Sequence, residues 1–249
     1  MKISGRTAIV TGGCQGIGRG IVYALLQKHA KVAILDVNDV AGKELEQKLK
    51  DEFGQDMVYY RHCDVSDKFQ LKDAFHEVKS KFDGLHILVN NAGTNNDPDY
   101  NITVDVNLKA VIRATMLAID MMDKNKGNLG GEIINISSMS GIIPLSFVPV
   151  YSATKSAVIT FTRCLKAAKT YKGIQVNCIC PTFVKDTEIF SMAEVSPHLQ
   201  RAIANTGIVT VSMVANAVIQ TIEDDSLAGN IVTVTSHGIK LFKFPKAKL

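Results

Sequence analysis

The chain lacks anything that would serve as a linker. No Pro/Gly/Ser-rich stretch or long block of charge divides its 249 residues, and its six prolines are scattered. No internal repeat or low-complexity tract is present either, which excludes solenoid and array architectures. One domain over residues 1–249 is therefore expected. No uninterrupted apolar run approaches the ~20 residues that span a bilayer, so no integral membrane segment is expected. The opening "MKISGRTAIV" has no signal-peptide apolar core ahead of its first strand pattern, which points to a cytoplasmic protein. Cysteine is sparse and odd in number, at five, which argues against a disulfide framework. Cys178 and Cys180 alternate as on one strand face, but no second Cys/His pair matches their spacing. They read as structural thiols, with no metal. The net charge is only +4, and no basic stripe is interleaved with aromatics, so nucleic acid is not an expected partner.

What is present is alternation. "TAIVTG" (7–12), "KVAILDV" (31–37), "MVYYRHCDV" (57–65), "HILVNNAG" (86–93) and residues 132–137, 174–180 and 231–235 read as strands. Between them, 17–30, 39–53, 66–82, 100–123, 151–171 and 211–223 have helical patterns, with Ser66 as N-cap of the third. Strand followed by helix, about seven times over, predicts a doubly wound α/β fold: a parallel sheet of about seven strands with helices on both faces. Ligands of such sheets bind at the carboxyl ends of the strands, so the chemistry is sought in the loops there.

The first strand runs into "TGGCQGIG". Gly12 permits the turn, Gly16 lets backbone approach a phosphate, and Gly18 allows close helix–strand packing. The helix that starts here offers free N–H groups and a positive dipole end to a pyrophosphate. Asp36 ends the second strand. A carboxylate there accepts hydrogen bonds from the adenine ribose and repels a 2′-phosphate, and Cys14, Gln15 and Val37 offer no cation to hold one. The predicted cofactor is therefore NAD rather than NADP. Asp64, ending the third strand, either caps the adenine edge or simply precedes the next helix. In "NNAG" (90–93), the Asn side chains can tie strand ends together and Gly93 keeps backbone close to the cofactor.

Tyr151 and Lys155 in "PVYSATKSA" share one helix face, and Ser138 in "INISSMSG" ends the preceding strand. Hydride removal from an alcohol carbon requires loss of the hydroxyl proton too. A tyrosine can accept it, but its reference pKa is ~10 and must fall. Lys155 supplies one positive charge, and oxidised nicotinamide a second. Ser138 can hydrogen-bond the substrate oxygen and steady the developing alkoxide.

"TGGCQGIG", "LDV", "CDV", "NNAG", "VDVNL", "ISSMSG" and "YSATK", in that order, resemble the short-chain dehydrogenase/reductase family to about residue 238. The resemblance implies a Rossmann-type fold and a Ser138–Tyr151–Lys155 catalytic set. It adds Asn107 as the residue linking the lysine to solvent through a water. It also implies cofactor contacts from Gly12, Gln15, Gly16, Ile17, Gly18, Asp36, Asp64, Val65, Asn91, Ala92, Gly93, Tyr151, Lys155, Pro181, Val184 and Thr187. Within the family the likeness is to the NAD-dependent 15-hydroxyprostaglandin dehydrogenase type and to insect-type alcohol dehydrogenases. Two positions depart from the former. Val148 stands where that type has a glutamine, removing an amide that could orient a substrate hydroxyl. Pro181-Thr182 replaces Pro-Gly in the nicotinamide loop. Asp186 or Thr187 takes the usual threonine role there, and only Thr187 can donate a hydrogen bond to a carboxamide.

Met139, Ile142, Ile143, Leu145, Val148, Phe190 and Met192 are expected to line an apolar outer pocket, with 187–210 as a lid. The predicted function is NAD-dependent oxidation of a lipid-like secondary alcohol to a ketone. The alternatives are a carbonyl reductase running in reverse and a cofactor-bound lipid-binding scaffold. Met116, Met121, Met122, Val158, Phe161 and Leu165 make two helices apolar around most of their circumference, which predicts a homodimer or homotetramer. The basic end, 239–249, reads either as a packed tail or, in Ala247-Lys248-Leu249, as a peroxisomal address.

Overall fold

The strand runs are apolar on both faces, so each strand needs a helix above and below it. The computed structural model describes residues 2–95, 99–185, 200–201, 203–204 and 207–244 and meets that need. The chain begins β1 (Thr7–Thr11), α1 (Gly16–Gln27), β2 (Lys31–Asp36), α2 (Asp39–Phe53), β3 (Val58–His62), α3 (Lys68–Phe82), β4 (Ile87–Asn90). It continues through α4 (Tyr100–Val104), a π-helical turn (Asp105–Ala110), α5 (Val111–Met122), β5 (Gly131–Ile136), α6 (Pro149–Cys164), α7 (Ala168–Lys172) and β6 (Ile174–Pro181). β7 (Phe183–Val184), β8 (Ile208–Val209), α8 (Val211–Glu223), β9 (Ile231–Thr235) and β10 (Gly238–Leu241) complete it.

The main sheet has the order β10-β9-β6-β5-β4-β1-β2-β3, and β7 pairs with β8 separately. Every pair in the main sheet is parallel except β9–β10. From β1 the chain winds outward to β3, then returns to β4 on the other side of β1. That reversal opens a crevice at the carboxyl ends of β1 and β4. Side chains alternate between the faces as the pleat requires. Ala8, Val10, Val32 and Ile34 pack with α1, α2 and α8, whereas Ile9, Ala33 and Leu35 pack with α3 and α5. Val158 and Ile159 of α6 cover Cys178 and Cys180, whose thiols lie 3.9 Å apart.

Several local expectations are corrected. Asp67, not Ser66, caps α3, its carboxylate accepting from the N–H groups of Phe69 and Gln70. The predicted helix at 100–123 is broken by the π-helical turn. The one at 151–171 starts earlier, at Pro149, whose fixed φ suits a first helical turn, and it splits into α6 and α7. Gly238–Leu241 is an edge strand, with Thr233 Oγ1 bonding the Lys240 carbonyl, rather than the start of a tail. Met121, Met122 and Val158 are buried in the chain's own core, so only part of the apolar surface expected for a partner remains; Met116 is 51% exposed. Ala247–Leu249, and Phe190 and Met192 of the expected lid, lie outside the described residues. Among the described residues no helix is long and apolar enough to cross a membrane.

Far from the crevice, Glu132 of β5 sits opposite Gln175 of β6. Gln175 Nε2 donates to Glu132 Oε1, while Glu132 Oε2 has no partner. Burial pushes the carboxyl up to about 8, against the pull of the Gln175 hydrogen bond. The folded chain therefore binds a proton that the unfolded chain releases once the pH passes the ordinary glutamate value of 4.5. This contribution to stability is complete in acid and is lost as pH rises through about 8. Thermal denaturation from about pH 5 to about pH 8.5 should show a midpoint that falls with pH, with a flatter profile in Glu132→Gln. An equal slope in both proteins would contradict the assignment.

Candidate active site

A cavity of about 880 Å³ opens at the carboxyl ends of the strands. That lies within the ~300–1,000 Å³ range of cofactor and small-molecule sites. Its wall includes Gly12, Gln15, Gly16, Ile17, Asp36, Asp64, Val65, Asn91, Ala92, Gly93, Ser138, Tyr151, Lys155, Pro181 and Val184. Of the remaining predicted residues, Gly18 and Asn107 stand outside this wall, and Asp186 and Thr187 lie outside the described residues.

The glycine loop is shaped by close approach. Gly12 and Gly16 have φ of 61° and 51°, in the left-handed region that side chains avoid. A Cβ on Gly12 would meet Ala92 Cα at 2.9 Å, and one on Gly18 would meet the Gly12 carbonyl oxygen at 2.0 Å. Asn91 holds the loop from the other side, Nδ2 donating to the carbonyls of Thr11 (3.0 Å) and Gly12 (2.9 Å). Thr11 Oγ1 accepts in return from Asn91 N and Ala92 N. No side chain caps the start of α1, which leaves that helix end open to an anion.

Asp36 is fixed by two backbone donors, Cys14 N at 3.0 Å and Asn38 N at 3.1 Å, and among the described residues no cation pairs with it. Asp64 accepts from Ser66 N (2.9 Å) and Ser66 Oγ (2.7 Å) while also facing the cavity. Both alternatives for it thus have a counterpart, a turn before α3 and a place in the wall. An open helix start, glycines at the points of closest approach and a carboxylate held by backbone N–H groups at the neighbouring strand end together fit the phosphates and ribose of a dinucleotide.

At the other end of the cavity, Lys155 is 4% exposed and donates to the Ile136 carbonyl at 3.1 Å. Its Nζ lies 5.5 Å from the centre of the Tyr151 ring. Burial lowers the ammonium to about 8, opposed by the neighbouring Cys178 and Cys180 thiols. The tyrosine departs from expectation. Desolvation pushes its phenol up to about 12, the Ser138 hydrogen bond pulls it down, and Cys180 adds to the rise. The fall in pKa anticipated from the sequence is therefore absent in the protein alone, because loss of hydration outweighs the Ser138 hydrogen bond.

Asn107 lies in the π-helical turn and grips a loop. Its Oδ1 accepts from Thr94 N (2.8 Å) and its Nδ2 donates to the Thr94 carbonyl (2.7 Å). A Cβ on Gly93 would lie 3.3 Å from Asn107 Oδ1 and 3.4 Å from Lys155 Nζ, so both side chains approach the same point. The π-helical turn left no trace in the apolar spacing. Ser137, also missed, donates to the Lys155 carbonyl at 2.7 Å; its doubled serine in "ISSMSG" was the available signal.

The apolar wall is broader than expected. Met139, Ile143, Leu145 and Val148 line it as predicted, joined by Ile102, Val106, Phe147 and Phe183. Ile142 packs instead against the cluster under α6. Lys155 is the one cation among the described lining residues.

The model of the short chain dehydrogenase family matches residues 6–196. The 15-hydroxyprostaglandin dehydrogenase [NAD(+)] of Homo sapiens is 41% identical over 251 residues, spanning 96% of this chain and 94% of that protein. Alcohol dehydrogenase 1 of Ceratitis cosyra is 34% identical over 184 residues, spanning 73% of this chain and 71% of that one. Among solved structures, the crystal structure of gox2181 has a TM-score of 0.83 at 28% identity, covering 93% of this chain and 95% of its own.

The contact at Gly18 gives a direct test of the loop. In Gly18→Ala the new methyl meets backbone oxygen and Asn91 Nδ2, neither of which has a flexible way out. Urea denaturation should show a loss of ~1–3 kcal/mol, the usual cost of overpacking. Unchanged stability would mean that the loop is not held as described.

Proposed function

The chain belongs to the short-chain dehydrogenase family, and from that premise we propose that it oxidises a hydrophobic secondary alcohol to a ketone with NAD. One observation carries the reading. A single cavity has a glycine loop and Asp36 at one end, and Ser138, Tyr151 and Lys155 at the other. Gly12 and Gly16 would flank the pyrophosphate, Asp36 the adenine ribose, and Gly93, Pro181 and Val184 the nicotinamide end. When bound, NAD supplies the hydride acceptor and a positive ring in the half of the cavity that holds Tyr151.

The chain's own residues handle the proton. Ser138 Oγ, already accepting from Ser140 N at 3.1 Å, is positioned to donate to the alcohol oxygen. Tyr151 Oη takes the hydroxyl proton as the carbon gives up hydride. Lys155 steadies the resulting charge from 5.5 Å behind the ring. Asn107 keeps Gly93 and Thr94 against this end of the cavity. Burial keeps the phenol protonated in the free protein, which favours a second reading, ketone reduction with Tyr151 as proton donor. The apolar wall selects the substrate, each buried CH₂ contributing ~0.8 kcal/mol.

Tyr151→Phe removes the proton acceptor and leaves the cavity's shape intact. Turnover of any alcohol substrate should fall by roughly 10³-fold, in the range of lost acid–base catalysis, while NADH binding followed by fluorescence stays near normal. Near-normal turnover would sink the mechanism. Asp36→Ala removes the carboxylate that repels a 2′-phosphate. Its NAD affinity should fall and its discrimination against NADP should relax. Steady-state kinetics with both cofactors decides this, and a wild type that prefers NADP refutes the role given to Asp36.

A further inference from the structure

Ile102 and Ile143 line the cavity, yet they are 43% and 57% exposed. A side chain that does both stands at the mouth. Val37 is exposed in the wall as well, but it follows Asp36 at the other end. Each isoleucine begins a row of lining residues that runs inward. Ile102 of α4 and Val106 of the π-helical turn are four positions apart, and Val106 packs against the core between the sheet, α3 and α5. Ile143 N donates to the Met139 carbonyl at 2.8 Å, and Met139, packed on the cluster under α6, directly follows Ser138. Both α4 and the turn at Met139–Gly141 pack on α6, which carries Tyr151.

The charges around this mouth have one sign. Nothing from Ser138 to Val150 is charged. On the other side, Asp99 caps α4, its Oδ1 accepting from Asn101 N at 3.1 Å and its carbonyl from Ile102 N at 3.2 Å. Asp99 is exposed, and among the described residues no cation pairs with it. Asp105, three positions beyond Ile102, is ion-paired with Lys109 at 2.6 Å. The charge left over within a turn of Ile102 is therefore the Asp99 carboxylate.

Apolar side chains held in water at the lip of a cavity gain free energy when an apolar ligand covers them. Two features narrow that ligand. The rows lead from Ser138 out to solvent, so whatever covers the lip is continuous with the molecule whose oxygen lies at Ser138. A carboxylate leaving past Ile102 would meet the carboxylate of Asp99, like charge against like, whereas a hydrocarbon chain loses nothing there. We infer that Ile102 and Ile143 form a seat at the cavity mouth for the uncharged alkyl tail of the substrate. The preferred substrate is then a secondary alcohol whose reactive carbon lies near one end of a long neutral chain. This inference rests on the alcohol-oxidising reading for the reaction, but the seat itself is a matter of binding.

The probes are butan-2-ol, hexan-2-ol, octan-2-ol, decan-2-ol and the anion 9-hydroxydecanoate. NADH formation gives kcat/KM, and calorimetry on the complex with NADH gives affinity. Both should rise along the neutral series, and decan-2-ol should exceed 9-hydroxydecanoate several-fold at low salt. Ile102→Ser and Ile143→Ser should each lower the ratio of decan-2-ol to butan-2-ol, through KM rather than kcat, by about fourfold for each CH₂ that loses its apolar contact. Ile102→Leu and Ile143→Leu keep the apolar surface and should retain the ratio, which guards against a variant that merely misfolds. Asp99→Asn keeps a helix cap and removes the charge, so it should narrow the gap between decan-2-ol and the anion, as should added salt. A ratio unchanged in both serine variants, or an anion that binds as well as the neutral alcohol, overturns the seat. So does a serine variant that changes the oligomeric state in size-exclusion chromatography and leaves the ratio alone, which would assign the pair to a subunit contact. If no probe yields NADH, the alcohol-oxidising reading fails on its own, and the calorimetric ratios still decide the seat.

Discussion

A lysine ammonium with almost no access to water is the constraint around which the site is built. Burial of a charge is costly unless something polar meets it. Lys155 meets the carbonyl of Ile136, the last residue of β5, at 3.1 Å. That contact works only if α6 crosses the end of β5 at one height. Ser137 fixes the height by donating to the Lys155 carbonyl. Gly141 permits it, since a Cβ there would stand 2.7 Å from the Lys155 carbonyl carbon. Tyr151 is one turn earlier on the same helix, so its ring is aimed by the docking that serves the lysine. The thiols of Cys178 and Cys180 take part as well, raising the ammonium's pKa against the effect of burial.

Beneath the site runs a chain of buried amides and hydroxyls. Asn90 Nδ2 donates to Thr115 Oγ1 (3.0 Å) and to Asn135 Oδ1 (2.8 Å). Asn135 Nδ2 donates to Thr162 Oγ1 (2.9 Å), which donates to the Val158 carbonyl (2.9 Å). The chain links α5 to α6 through β4 and β5. In a low-dielectric core each of these bonds is strong and each loss would be costly. Its effect is to register two helices against one sheet face, and those helices carry the neighbourhoods of Asn107 and Tyr151. Packing by methyl groups alone would allow more sliding than a site of this kind tolerates.

The alternation of strand and helix was readable in the sequence because both faces of each strand are buried and each helix has a periodic apolar stripe. Tyr151, Lys155 and Ser138 were readable because the spacing of the first two has no other obvious use in a stretch of small residues. The π-helical turn was not, since one extra residue in a helix leaves an apolar pattern that still looks helical. Asn107 accordingly came only from the family resemblance, and the structure shows a loop clamp at that position. The sign of the tyrosine's perturbation was also hidden. Sequence shows that a cation is one turn away, but the degree of desolvation depends on how Cys180, the Ser138 loop and α6 close around the ring. Part of the apolar surplus on two helices is taken up within the chain, since Met121, Met122 and Val158 fill its own core.

The strand order itself sets the shape of what the cavity holds. Asp36 ends β2, whereas Thr182 follows β6, and the strands between run β2-β1-β4-β5-β6. Four steps at roughly 4.8 Å each place these two strand ends ~19 Å apart across the sheet. A compact ligand at either end would leave the other bare. The groups along that line change in a consistent direction. A carboxylate and an open helix start come first, then backbone without side chains at Gly12 and Gly93. A hydroxyl, a phenol and an ammonium follow, with an apolar wall beyond them. Only an extended ligand with hydroxyls at one end, phosphates in the middle and a reactive group at the other would use every part of this line. The reversal between β1 and β4 is what makes such a line possible, because there the helices on the two sides diverge and leave the strand ends open.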